Sequence, residues 1–150
     1  MDELDPARAC TCFKLRNLAR RVTALFDAQL AGAGITVTQY AILTVLVATK
    51  AAHESVGVSE LARRMQADRT TLKRALDPLR DAGLIAITRQ AGRGDARVRT
   101  VAITPAGARR RRAALPMWRT AQSRLDDLLG ESRHGALRKH LDHGNVAVGA

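Results

Sequence analysis

Apolar residues recur every three or four positions along most of this chain, which is the spacing of one face of an α-helix. Such a stripe runs through residues 9–31, after which the small-residue segment AGAG at 31–34 interrupts the helix. A second helix follows, with Thr38 as its expected cap, and it is apolar nearly all round. The pattern predicts a long amphipathic helix followed by a helix at the centre of a core.

Two shorter helices are predicted next, at residues 59–66 and 69–82, with Ser59 and Asp68 as their expected N-caps. Gly83 stands where a left-handed C-cap would end the second of them. Four leucines at helical spacing are expected to lock the two helices together: Leu61, Leu72, Leu76 and Leu79. A short helix, a three-residue turn and a second helix form a helix-turn-helix arrangement.

Alternating and β-branched residues then indicate two short strands, LIAITR at 84–89 and VRTVAI at 98–103. The segment QAGRGDAR at 90–97 lies between them and contains two glycines, as tight turns do. These residues predict a β-hairpin.

The C-terminal third returns to helical spacing. Thr104 and Pro105 form an N-cap followed by proline at the first helical position, which favours a long helix from 105 to about 129. A last helix is predicted at about 131–142, and the tail at 143–150 is expected to be disordered. The predicted fold class is mainly α with a small β-hairpin wing.

The length and composition are those of one globular domain. The 150 residues suffice for a single core, and no apolar run approaches the about 20 residues of a membrane helix. The acidic N-terminus MDELDPAR has no hydrophobic signal region. The sequence contains no glycine-rich phosphate loop, nucleophile elbow or metal-ligand cluster. We therefore expect a cytoplasmic protein that is not an enzyme and needs no cofactor or metal.

Positive charge is concentrated in one part of the chain. The formal net charge is +11, and the stretch from Gly57 to Arg112 holds 14 basic against 5 acidic side chains, while the rest holds 11 against 9. Local charge of this kind indicates a polyanionic partner. Only four aromatic residues are present, which is few for the stacking platforms that bind single strands or RNA. Double-stranded DNA is the expected partner.

The start of the second helix of the helix-turn-helix carries residue types suited to a major groove: Arg69, Thr70, Thr71, Lys73 and Arg74. Threonine can bond to a base or place its methyl against thymine, and arginine can donate two hydrogen bonds to guanine. Other arginine contacts would go to phosphates. An ordinary helical pair with solvated basic residues has the same pattern, so the two helices alone do not decide the function.

The hairpin favours the DNA-binding interpretation. Arg93, Arg97 and Arg99 surround its two glycines, and a narrow loop with arginines fits a minor groove, where negative potential is concentrated. Asp95 is expected to orient this wing by pairing with an arginine. A helix-turn-helix followed by an arginine-rich wing is a winged-helix module.

Residues 58–107 resemble the DNA-binding core of the MarR (multiple antibiotic resistance regulator) family. The wing motif of that family is Asp, one residue, Arg, five residues, an aliphatic-Thr pair, two residues and Gly. The chain matches this motif with five residues at the same spacings: Asp95, Arg97, Ile103, Thr104 and Gly107. The family's usual sequences before and after the recognition helix are also matched, here by SELARRM and DPLRDAGLI. The helical flanks extend the resemblance to about residues 10–142.

The resemblance implies a homodimer whose two winged lobes bind a pseudopalindromic DNA operator. Residues 9–31 and 105–142 would form the dimerisation helices, and residues 36–104 would form the DNA-binding lobe. The leucines near the C-terminus exceed what one small lobe can cover, which agrees with a dimer. Packing of these leucines within one chain is the alternative.

The resemblance also implies a small, aromatic or phenolic anion as effector. By similarity, its binding residues would be Arg16, Arg20, Tyr40 and Trp118. A guanidinium and a ring could hold an aromatic carboxylate. The alternative is that Tyr40 and Trp118 belong to the core and that the arginines are solvated or bind phosphate.

Cys10 and Cys12 raise the question of redox chemistry. They are two residues apart, so their side chains diverge on a helix, and no second pair completes a zinc site. Buried or inert thiols are the expectation from the residues. By resemblance to oxidant-sensing members of the family, an intersubunit disulfide or an oxidisable thiol is the alternative.

These observations predict a sequence-specific, homodimeric transcriptional regulator, expected to be a repressor that a small ligand or thiol oxidation releases from DNA. An architectural protein that binds DNA without sequence preference is the alternative.

Overall fold

The computed structural model describes residues 9–91 and 97–149, apart from the side chains of residues 90, 91, 97 and 98. The order of elements confirms a mainly α protein with a small antiparallel sheet. The elements are α1 (Thr11–Leu30), α2 (Val37–Ala51), β1 (Val56–Gly57), α3 (Val58–Arg64), α4 (Arg69–Asp81), β2 (Ile85–Ala91), β3 (Arg97–Ile103), α5 (Pro105–Leu129) and α6 (Glu131–Val148).

The chain divides into two compact units. The winged unit is Leu30–Leu115, and the helical unit combines Met1–Gln29 with Pro116–Ala150. The winged unit contains α2, α3, α4, all three strands and the start of α5. The helical unit contains most of α1, the second half of α5 and α6.

A tight break separates α1 from α2. The last residues before it form a 3₁₀ turn, Ala31–Ala33, and Gly34 adopts a left-handed backbone with φ +66°. The cap of α2 is Thr36 and not Thr38 as predicted, because Thr36 and Gln39 form a reciprocal capping box. That box needs a Gln or Glu three residues after the cap, a condition that Thr36 meets and Thr38 does not.

The helix-turn-helix is present, with one cap placed differently from the prediction. Asp68 caps α4 as expected, and its Oδ1 accepts a hydrogen bond from the Thr71 backbone at 2.9 Å. The prediction of Ser59 as the cap of α3 is wrong, since the N-cap is Gly57, whose extended backbone also ends β1. Gly83, with φ +68°, follows α4 as predicted.

The sheet has three strands in the order β1-β3-β2, all antiparallel. The β2–β3 hairpin runs in register from Ile85 opposite Ile103 to Ala91 opposite Arg97, so both strands extend further towards the wing than predicted. The short β1 strand, where Val56 pairs with Val101, was not predicted. Two residues are too few to show an alternating pattern.

The core of the winged unit is made by α2, the helix-turn-helix and the sheet. The four predicted locking leucines, Leu61, Leu72, Leu76 and Leu79, are each at most 3% exposed. Ile42, Leu43 and Leu46 of α2 are at most 1% exposed, which confirms a central helix. The core therefore fixes α4 through one face and leaves its other faces available.

The last helix is longer than predicted. α6 continues to Val148, so the expectation of a disordered tail is wrong through that residue. No proline interrupts this segment, and Gly144 alone costs a helix only about 1 kcal/mol.

No single helix in the described part of the chain is long and apolar enough to cross a membrane. The segments Thr11–Ala33 and Val37–Ala51 meet the length and composition of a span only together, as a bent pair. The second of them buries Tyr40, Ile42 and Leu43, as a core helix does.

Candidate nucleic-acid interface

The recognition helix α4 has three distinct faces. Its leucines point into the core, while Thr70 and Arg74 are exposed and lie four residues apart on the opposite side. Four charged residues at helical spacing form the third face, beside the leucines: Arg69, Lys73, Asp77 and Arg80. A groove of about 860 Å³ separates this third face from β2 and β3.

One of the residues predicted to contact DNA, Thr71, takes part in the N-terminal cap of α4. Thr71 donates its hydroxyl to Asp68 Oδ2 at 2.6 Å and its backbone N–H to Oδ1. Both hydrogen bonds lower the pKa of Asp68, and the bond from the Thr71 hydroxyl has the larger effect. The hydroxyl proton of Thr71 is thus committed to the cap, and its methyl group is what remains to contact a base.

The groove beside α4 is lined by polar and charged groups from three elements, α3, α4 and β3. Ser59 of α3 accepts a hydrogen bond from Arg69 Nη2 at 3.1 Å. Arg99 enters from β3, so both the recognition helix and the hairpin supply cations. Lys73 is 71% exposed and Arg80 is 49% exposed, which leaves both accessible to a polyanion.

A carboxylate lies in the middle of these cations. Asp77 Oδ2 is 2.6 Å from Lys73 Nζ, and its Oδ1 is 3.1 Å from Arg80 Nη1. The hydrogen bond from Lys73 lowers the pKa of Asp77, and the charges of Lys73, Arg80 and Arg99 lower it further. Asp77 therefore remains ionised while both neighbours are paired with it.

The arginines of α3 are also paired. Arg63 donates to both oxygens of Glu60 at 2.8 Å, and Arg64 donates to Oε1 of the same carboxylate at 2.8 Å. These hydrogen bonds lower the pKa of Glu60 from 4.5 to about 2, and those from Arg63 have the largest effect. Arg64 also reaches Glu54 at 3.1 Å.

The described part of the hairpin brings like charges together. Arg89 of β2 lies directly opposite Arg99 of β3, and both are exposed. Like charges in opposed positions destabilise a sheet, and a bound polyanion would relieve the repulsion. Arg93 and Asp95 lie outside the described residues. Arg97 is the first residue of β3, but its side chain is not described.

Known proteins are similar to this chain in sequence and fold. The sequence model of the MarR family matches residues 35–98. A probable transcriptional regulator from Pseudomonas aeruginosa is 30% identical, with a TM-score of 0.73 over 90% of this chain and 96% of that one. The M. tuberculosis transcriptional regulator MosR is 28% identical, with a TM-score of 0.78 over 96% and 99% of the two chains. No curated protein sequence matches significantly.

The chain belongs to the MarR family. The winged helix-turn-helix described above is therefore that of a transcriptional regulator. MosR has also been solved in complex with DNA. The protein chain of that complex is 29% identical to this MarR-family chain, with a TM-score of 0.77 over 93% of this chain and 96% of that one.

The second half of the MarR wing motif is structural in this chain. Ile103 is 6% exposed and packs in the core. Thr104 donates its hydroxyl to the carbonyl of Gly83 at 2.7 Å and accepts a hydrogen bond from the Gly107 N–H at 3.1 Å. These bonds join the start of α5 to the end of α4, as the predicted cap at Thr104 requires.

Among the residues expected to bind an effector, Tyr40 belongs to the winged unit and is 5% exposed. The guanidinium carbon of Arg111 lies 5.8 Å from its ring centroid, and Arg111 Nε donates to Thr44 at 3.3 Å. Arg110 donates to the carbonyl of Ala33 at 2.7 Å. These two arginines thus support α2 and the turn before it, although they fall within the basic stretch.

Trp118, Arg16 and Arg20 belong to the helical unit of this MarR-family chain. Trp118 is half-buried, and its ring centroid is 6.5 Å from that of Phe26. Both arginines are exposed, and Arg20 donates a hydrogen bond to Asn17 one turn earlier.

The two cysteines are at the start of the helical unit. Cys10 and Cys12 are both exposed, so burial, the first part of the expectation, is wrong, while inertness of the thiols stays a prediction. The N-terminal end of α1 offers no apolar cover, since Phe13 and Leu15 beside them are 44% and 46% exposed.

Sequence reasoning missed three charged residues of this interface: Asp77, Arg80 and Arg89. The signal for the first two was present, since positions 69, 73, 77 and 80 follow one helix face. Arg89 could be placed opposite Arg99 only once the register of the hairpin was known.

Proposed function

We propose that this chain binds duplex DNA as a sequence-specific homodimer and acts as a repressor of transcription. The observation that carries the proposal is the outward face of α4. Thr70 and Arg74 are exposed there, opposite the leucine face that the core holds. A rigid helix that presents such residues fits the major groove. The 29% identical regulator MosR has been crystallised in complex with DNA.

The predicted contacts divide into two groups by position. Thr70 and Arg74 are suited to base edges, with the methyl of Thr71 beside them. The cations around the groove and on the wing are suited to phosphates and to the minor groove: Arg69, Lys73, Arg93, Arg97 and Arg99. The repulsion between Arg89 and Arg99 supports this assignment, because bound phosphate would remove it.

The exposed apolar residues of the helical unit support a dimer. Six large apolar side chains there are at least 41% exposed: Phe13, Leu15, Leu128, Leu141, Val146 and Val148. A second copy of the chain would cover them by two-fold symmetry. We propose residues 9–31 and 105–142 as the dimerisation helices, extended by the rest of α6, and residues 36–104 as the DNA-binding lobe.

Release from DNA is proposed to follow binding of a small aromatic or phenolic anion, or oxidation of thiols. The exposure of Cys10 and Cys12 supports the second route. If that route operates, diamide will weaken DNA binding by the parent but not by the Cys10→Ser/Cys12→Ser variant. Equal loss of binding in both proteins would exclude these thiols as the sensor.

Selection of bound duplexes from a random library tests the proposed function. We expect one inverted repeat, whose half-sites are centred about 34–36 Å apart along the helix axis. An architectural protein would select no shared sequence, and its affinity for every duplex would fall with salt in the same way.

A further inference from the structure

Asp77 is placed where a DNA-binding surface would be expected to hold only cations. It lies on the face of α4 that borders the groove, with Lys73 and Arg69 before it, Arg80 after it and Arg99 on the opposite wall. Glu60 of α3 also lines the groove, but its carboxylate is bonded to the two arginines of its own helix. Each of its oxygens takes one cation, Lys73 at 2.6 Å and Arg80 at 3.1 Å.

The stability of α4 does not account for this carboxylate. Exposed ion pairs four residues apart contribute only about 0.3–0.5 kcal/mol, and the order Lys73 then Asp77 is the weaker of the two orientations. Asp77 also lies in the second half of α4, where the helix dipole disfavours negative charge. A neutral residue at this position would cost the helix little.

The expected consequence of the carboxylate is weaker non-specific DNA binding. Non-specific affinity comes from cations that replace the counterions of phosphates. Lys73 and Arg80 cannot fully do this while they neutralise Asp77, and a phosphate in the groove is repelled by the carboxylate. On the operator, the base contacts of Thr70 and Arg74 fix the register of α4, so phosphates need not approach Asp77. Other sequences bind through phosphates alone and therefore meet this repulsion.

We propose that Asp77 is a specificity-determining residue, which weakens binding to non-cognate DNA by holding Lys73 in an intramolecular ion pair and by repelling phosphates from the groove. Arg80 is shared between Asp77 and Asp81 and stays paired when Asp77 is neutralised. This inference rests on the proposed function and deepens it. Asp77 is a negative element in the interface: it lowers the affinity for duplexes, and it lowers it most where phosphate contacts alone hold the DNA.

The test compares Asp77→Asn with Asp81→Asn, using the full-length protein, the selected operator and a duplex of scrambled sequence. Both variants remove one negative charge from α4, but Asp81 is 68% exposed, pairs with Arg80 and does not line the groove. Asp77→Asn should bind the scrambled duplex about 10-fold more tightly at 0.1 M salt, with a salt slope steeper by about 0.9 per subunit. Its preference for the operator should fall. Asp81→Asn should change both affinities by a similar, smaller factor.

Repeating the Asp77→Asn change in the Lys73→Met variant tests whether the released lysine causes the effect. In Lys73→Met, the Asp77→Asn change should strengthen binding to the scrambled duplex far less, because the cation that Asp77 would release is absent. Asp77→Ser should repeat the effect of Asp77→Asn, which excludes a role of the amide itself. Thermal unfolding of each variant checks that the fold is retained.

Two results overturn the inference: equal effects of Asp77→Asn and Asp81→Asn, or an unchanged operator preference in Asp77→Asn. Failure of the parent to bind either duplex would instead contradict the proposed function.

Discussion

Gly107 shows how one residue fixes the position of the recognition helix. A Cβ atom at this position would lie 2.0 Å from the carbonyl oxygen of Leu84, so only glycine allows the two backbones to approach. Thr104 bonds to Gly83 and to Gly107 at the same place. The start of α5 is thereby joined to the segment that leaves α4 and enters the hairpin.

We expect Gly107→Ala to lower the free energy of unfolding by about 1–3 kcal/mol, because the backbone must move to admit the methyl group. Gly135→Ala is the matched control, since Gly135 is also helical and nothing lies within 4 Å of its added Cβ. The control should gain about 0.5–1 kcal/mol. Urea unfolding at one fixed protein concentration measures both. Parent-like stability in Gly107→Ala would contradict the close approach.

Glu60 predicts a pH dependence with a definite sign. Its pKa falls from 4.5 to about 2 because Arg63 and Arg64 hydrogen-bond the charged form. The stabilisation is therefore present above pH 4.5 and is lost as the pH falls from 4.5 to 2. The effect is small and salt-sensitive, since these side chains are exposed.

The thermal midpoint of the parent should exceed that of Glu60→Gln at pH 6, and the difference should close between pH 4.5 and 2. High salt should reduce the difference at pH 6. A difference that stays constant through this pH range would show that the ion pairs are not its source.

At the scale of elements, α4 and the hairpin are expected to contribute differently to DNA binding. Arg74→Ala should cost about 1–3 kcal/mol on the operator and relax the preference at one base pair, with little change on scrambled DNA. Arg99→Ala should weaken binding to both duplexes and reduce the salt slope by about 0.9 per subunit. Titration of each variant at several salt concentrations distinguishes them. If both variants lose the same factor on both duplexes, α4 does not read bases through Arg74.

The helices could be predicted because their apolar residues follow a long 3.6-residue period. α1 and α5 were predicted to within two residues, and Asp68, Gly83 and Thr104 act at the helix ends where they were expected. A helix end is set by a side chain that bonds to nearby backbone, so local sequence determines it.

Two of the errors are local, since Thr38 and Ser59 were predicted as caps in place of Thr36 and Gly57. The others come from features that depend on distant residues or on weak patterns. β1 exists because Val56 pairs with Val101 in a far part of the chain, which no local pattern reveals. The end of α6 has no apolar period, so its six further residues read as a tail. The ion pairs of Asp77 follow helical spacing, but their position beside Arg99 requires the folded sheet.

At the scale of the whole molecule, the concentrated positive charge has two uses. Some arginines of the basic stretch serve the fold, as Arg110 and Arg111 do against Ala33 and Tyr40. Others line the groove, as Arg69, Arg80 and Arg99 do, and Arg74 is exposed to solvent. The proposed dimer presents this second group twice, so affinity depends on both lobes reaching their half-sites together.

The most direct test of this account is the affinity for an operator in which about five base pairs, half a helical turn, are inserted between the half-sites. The two half-sites then face opposite sides of the duplex, so only one lobe can bind at a time. We predict a loss of about 100-fold or more relative to the original operator, down to the affinity of a single half-site. An unchanged affinity would contradict a dimer that holds two winged lobes in register with the double helix.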